Sequence, residues 1–229
     1  MQTTKIKRAH VYLVSRILIY VMLGIMILQV LIYFISPPPS TVEGVYELFV
    51  SSPLRGLLGL DLLYLINNTL LIMIYFGLTL YLYQHKPLMS VLALVIGAIG
   101  IAAYYASNTA FEFYFLSQSY ETANLFEQER LITAGTLLLA QYKGTAFVSY
   151  YILNAIALYV YSAALIFVKK IPKIVYIMGF LSAIFMSIPS SFGSFGLIMS
   201  LLSLIPWMVF CLLIAYQFQL EIKDAANDP

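Results

Sequence analysis

The side chains able to do chemistry in this chain are few, and only two groups of them stand in helical register. Asp61, Tyr64 and Asn68 fall at i, i+3 and i+7, so they share one helix face, with Asn67 beside it. Tyr150, Asn154 and Tyr161 fall at i, i+4 and i+11 and share another face, while Tyr159 points away from it. A carboxyl, amides and phenols on inward faces could line a ligand or ion path. The same groups could cement neighbouring helices, at about 0.6 kcal/mol per hydrogen bond in membrane cases. Both readings stand on spacing alone.

Other reactive types are scattered. Glu127 and Glu129 suit the first turn of a helix, where carboxylates complement the dipole. His10 and His85 have no second histidine or carboxylate at ligand spacing, so no metal or haem site and no cofactor is expected. Cys211 is the single cysteine and reads as a small lipid-facing or packing residue. Ser190-Ser191 has no nearby histidine, and no phosphate-binding glycine loop, Gly-x-Ser-x-Gly elbow or His-Glu-x-x-His occurs. The sequence leans away from an enzyme and assigns no catalytic residue.

The elements that must position these groups are set by hydropathy. Of the 229 residues 62% are hydrophobic and 10% charged, against about 25% charged in soluble domains. Apolar stretches of about 20 residues, each long enough to cross a hydrocarbon core of about 30 Å, recur. They predict an all-α polytopic membrane protein, one transmembrane domain of six helices over residues 10–35, 57–83, 88–105, 146–168, 174–188 and 197–220. Pro37-Pro38-Pro39 ends the first span, and its length argues for an uncleaved helix rather than a signal peptide. Residues 36–55 read as a short exposed loop and His85-Lys86-Pro87 as a tight turn. Residues 189–194 read as a loop or a partly re-entrant segment.

Residues 106–145 form the longest stretch outside the spans. Asn124 with Glu127 three residues on makes a capping pattern, Gly144 can close the end, and Leu131, Ile132, Leu138 and Leu139 recur at helical spacing. This predicts an outer amphipathic helix between the third and fourth spans, resting on the bundle or the membrane surface. Gly97, Gly100, Ala103, Gly179 and Ala183 would let helices approach closely.

Charge sets the expected direction. With the N-terminus inside, nine of the twelve Lys and Arg residues fall in cytoplasmic segments: Lys5, Lys7, Arg8, Arg16, Lys86, Lys169, Lys170, Lys173 and Lys223. Arg16 can snorkel to the headgroups. Outer segments keep Arg55, Arg130 and Lys143, with six of the ten acids. The expectation is a cell-membrane protein with both termini cytoplasmic, in contact with membrane lipids and with other membrane-protein subunits as candidate partners. A net charge of +2 with dispersed basic residues predicts no nucleic-acid partner.

Ser107-Asn108-Thr109-Ala110-Phe111-Glu112, then Tyr120, Ala123, Gly144-Thr145-Ala146-Phe147 and Ser149-Tyr150, resemble six-helix prokaryotic membrane proteins of the "domain of unknown function 4386" type. The Asp61 region and the Ile171-Pro172 turn resemble them too. The third span departs from the pattern in having no basic residue between Lys86 and Arg130. The resemblance implies a six-helix fold and carries no catalytic residue across. The expected function is an accessory subunit or a binder of a lipid or small hydrophobic ligand. The alternatives are a small transporter using Asp61 and Asn68, or a lipid-modifying enzyme at the outer leaflet using Glu112, Glu121 or Asp61.

Overall fold

A computed structural model describes residues 2–227, with side chains from residue 8 onward, so Lys5 and Lys7 of the basic N-terminal cluster lie outside the described side chains. Among the described residues the chain is all helix, with no strand: α1 (Gln2–Ile35), α2 (Val42–Ser51), α3 (Pro53–Gly59), α4 (Leu62–Leu82), α5 (Pro87–Ser107), α6 (Ala110–Thr122), α7 (Leu125–Tyr142), α8 (Thr145–Leu165), α9 (Lys173–Met186) and α10 (Gly193–Asn227). Five helical stretches among them are long and apolar enough to cross a membrane: Arg8–Ile35, Leu62–Leu82, Pro87–Thr122, Leu125–Leu165 and Gly193–Asn227. The apolar helix α9 has 14 residues, about 21 Å at about 1.5 Å per residue.

The chain divides into two compact units. One is built from the chain through Leu23, from Asn68–Ala102 and from Ser149 onward. Its core includes Ile19, Met22, Leu78, Leu158, Tyr161 and Phe218. The small residues act as predicted: a Cβ on Gly97 would press on Tyr75, and one on Gly100 on Asn154. Outward it exposes Val14, Ile17, Leu92, Val95, Ile198 and Leu212, side chains that hydrocarbon solvates and water does not.

The segment between α9 and α10 is a turn, pinned by Tyr151, whose hydroxyl bonds Ser190 Oγ at 3.1 Å and Ser200 Oγ at 2.9 Å. Gly193 takes φ +67° there, so α10 starts four residues before the expected 197. Pro206 inside α10 cannot donate to the helix ladder. One turn back, Ser182 of α9 donates to the Ser203 carbonyl at 3.2 Å.

The second unit comprises Gly24–Asn67 and Ala103–Val148. Here two expectations are corrected. Residues 36–55 are largely helical: Thr41 caps α2 by accepting from the Gly44 N–H, and Pro53 occupies the first position of α3, where its missing N–H costs nothing. Val42, Val45, Tyr46 and Phe49 of α2 are buried with Leu60, Ala110, Phe113 and Tyr142 in one cluster. Residues 106–145 hold two helices where one was expected. α6 and α7 are joined at Ala123-Asn124, and both pack on α2. The capping box is present as predicted: Asn124 Oδ1 accepts from the Glu127 N–H at 3.1 Å, and the Glu127 carboxylate accepts from the Asn124 N–H at 3.3 Å. α7 sits close on α2 because residue 135 is glycine; a Cβ there would collide with Val42 Cγ1 and the Tyr46 hydroxyl.

Candidate functional site

The apolar pattern from residue 57 reads as one continuous helix through residue 83, but the backbone breaks at Leu60-Asp61. Asp61 takes φ +66°, the left-handed region, which Asp tolerates better than most residues because its short side chain can bond locally. The break leaves carbonyls at the end of α3 without helical partners. Two side-chain amides take them: Gln29 Nε2 donates to Leu58 O at 3.2 Å, and Asn108 Nδ2 donates to Leu60 O at 2.9 Å. Asn108 Oδ1 also accepts from the Ala110 N–H at 3.2 Å, at the start of α6. α4 then begins on the Asp61 carbonyl, which accepts from Tyr64 and Leu65.

This turn directs the Asp61 side chain inward, where only 5% of the residue is exposed. The Tyr33 hydroxyl donates to Oδ1 at 2.6 Å, and the Tyr142 hydroxyl donates to Oδ2. The two phenolic oxygens lie 3.3 Å apart. The Tyr104 hydroxyl also favours the charged form of the carboxyl. Tyr64 and Phe147 place their rings beside Tyr104, at 6.3 and 6.5 Å between centroids. The result is a carboxyl in an aromatic setting whose described partners are neutral phenols.

Burial pushes the Asp61 carboxyl above its ordinary value of 3.8, while the hydroxyls of Tyr142, Tyr33 and Tyr104 pull it back in part. Nearby in the same unit, burial pushes the Tyr46 phenol up to about 12, and its hydroxyl donates to Leu131 O at 2.7 Å.

The proposed face of Asp61, Tyr64 and Asn68 is therefore not one helical stripe. Asp61 precedes α4, and Asn68 belongs to the other unit, fully buried, its amide atoms making no hydrogen bond among the described residues. Tyr150, Asn154 and Tyr161 serve a different end. Tyr75 donates to Asn154 Oδ1 at 3.3 Å, and Asn154 Nδ2 donates to Tyr150 O at 3.0 Å. The Tyr161 hydroxyl is 2.7 Å from Thr79 Oγ1 and donates to Tyr75 O at 3.2 Å. In this unit the polar face of α8 bonds α4 and α8 together.

Glu112 and Glu121 are exposed on α6, apart from the bonds that hold Asp61. Among the described residues no group of three or more His, Cys, Asp or Glu side chains could hold a metal ion. Sequence reading missed Tyr33, Tyr104 and Tyr142, because nothing local distinguishes them among the 19 tyrosines. No protein family, curated protein or solved structure matches the chain.

Proposed function

We propose that this chain is a non-catalytic membrane protein of six crossings with both termini in the cytoplasm, acting as an accessory subunit or as a binder of a lipid or small hydrophobic ligand. In this reading Asp61 and its phenols meet the ligand's polar end. The kinship with the six-helix proteins it resembles is part of the same proposal.

The crossing number draws support from one end of the first unit. There Arg8 and Tyr12, Gln84, Lys170, and Glu221 with Asp224 line one groove. On this reading the chain leaves and regains that end three times, once between each successive pair, and the count is six passages with the short α9 taken as one. The excess of Lys and Arg on these segments favours the cytoplasmic side for them.

The ligand reading rests on Asp61, a buried carboxyl partnered by phenols rather than by a cation. A ligand that brings a hydrogen-bond donor or a positive charge would complete it, and the surrounding rings favour such groups. Native mass spectrometry of the protein purified from membranes tests this. The expected result is a co-purifying lipid or small molecule retained by the unaltered chain and lost in Asp61→Asn. Purification with neither ligand nor protein partner overturns it.

A transporter is the second reading, favoured by the helix broken at Asp61 and by the buried, unsatisfied amide of Asn68. Asp61-dependent substrate flux in proteoliposomes supports it. Flux indifferent to Asp61→Asn removes that residue from any path.

A further inference from the structure

The groove at the termini end of the first unit has a composition that structural packing does not require. About 200 Å³ in volume, it is lined by Arg8, Tyr12, Gln84, Lys170, Glu221 and Asp224. Lys170 and Asp224 pair at 3.5 Å, but their side chains are 75% and 65% exposed, so this pair is a weak, screened rim contact. Arg8 and Glu221 are half-buried and place opposite charges near the same phenol, that of Tyr12. Tyr12 is 3% exposed; its hydroxyl is buried in the groove beside the Gln84 side chain and makes no hydrogen bond of good geometry. A buried phenol wants a partner.

Depth narrows the ligand. Arg8 opens the apolar stretch that runs to Ile35, Gln84 comes just after the end of α4, Lys170 just after the end of α8, and Glu221 lies in the last two turns of α10. With these helices crossing the membrane, all stand where hydrocarbon gives way to headgroups. Directly inward on α1, Leu13, Val14 and Ile17 are exposed, as are Leu212 and Tyr216 on α10, an apolar surface along which acyl chains could lie.

We infer that the groove binds the zwitterionic headgroup of a membrane phospholipid carrying a primary ammonium, with Arg8 and Tyr12 donating to its phosphate and Glu221 accepting from its ammonium. The planar guanidinium suits two phosphate oxygens at once. A primary ammonium donates hydrogen bonds to Glu221, which a quaternary one cannot. This site is separate from the Asp61 cluster, and its failure would leave that reading untouched.

The test uses the full chain in nanodiscs of phosphatidylcholine containing phosphatidylethanolamine, with retained lipid counted by native mass spectrometry. The expected result is phosphatidylethanolamine retained over phosphatidylcholine by about tenfold, the scale of one hydrogen bond to a charged group, and a ratio near one in Glu221→Gln. Tyr12→Phe should weaken retention of both lipids. Equal retention in the unaltered protein, or an unchanged ratio in Glu221→Gln, overturns the proposal. If Glu221→Gln does not fold, undiminished lipid retention in Arg8→Gln overturns it instead. Soluble glycerophosphoethanolamine shares the headgroup chemistry. If it displaces the lipid at equal concentration, the ligand is a soluble metabolite and the lipid assignment falls.

Discussion

Asp61 combines a left-handed backbone with a buried carboxyl, and the two features make opposite demands on a substitution. Asp61→Ala loses the acceptor and keeps a backbone that costs a residue with a Cβ about 1–2 kcal/mol, so it should destabilise more than Asp61→Asn. The pH dependence has a definite sign. Because burial raises the folded-state value above 3.8, protons bind the folded form more tightly than the unfolded one. The stability contributed by Asp61 is then complete below the ordinary carboxylate range and is lost as pH rises through the raised folded value. Thermal unfolding in detergent should show this decline, and Asp61→Asn should flatten it. A parent and a variant with equal pH slopes would remove Asp61 as the cause. Tyr142→Phe should lower stability by about 1–3 kcal/mol, since it leaves a buried carboxyl oxygen without its donor.

Among the helices, the two in the region 106–145 make the sharpest prediction. Gly135→Ala forces a methyl against Val42 and Tyr46 and should cost about 1–3 kcal/mol by overpacking, whereas Asn124→Ala removes one cap and should cost about 1 kcal/mol. Equilibrium unfolding of the purified protein compares them, and a Gly135→Ala variant as stable as its parent would deny the close approach of α7 to α2.

The same elements decide what could be read from the chain. Helix ends were readable where the signal is local: the prolines after Ile35, the Asn124 cap with Glu127, and the Ile171-Pro172 turn. The break at Leu60-Asp61 was not. Its flanks, Leu57-Leu58 and Leu62-Leu63, continue one apolar pattern, and the amides that stabilise it come from 29 and 48 residues away. The helices α2 and α3 were hidden for a related reason: they are short, and their apolar face is revealed only by packing on α6. Asp61 was singled out on a helical face it does not occupy, and its phenols come from α1, α5 and α7, which no spacing rule connects.

For the molecule as a whole, the six-crossing reading predicts which ends are reachable from which side. In a Cys211→Ala background, which removes the only native thiol, Phe126→Cys at the start of α7 should react with an impermeant maleimide in intact cells. Lys170→Cys and Asp224→Cys should react only after the membrane is opened. Labelling of Asp224→Cys in intact cells would mean an odd number of crossings.

Asn108 has one further consequence. Its side chain holds the last turn of α3 with one end and the first turn of α6 with the other, so two gaps in the helical ladder share a single rivet. Neither gap can slacken alone. Amide exchange at Tyr64 and at Phe113, the first N–H groups bonded to a backbone carbonyl beyond each gap, should therefore rise in step when the unit opens, and Asn108→Ala should let the two rates drift apart.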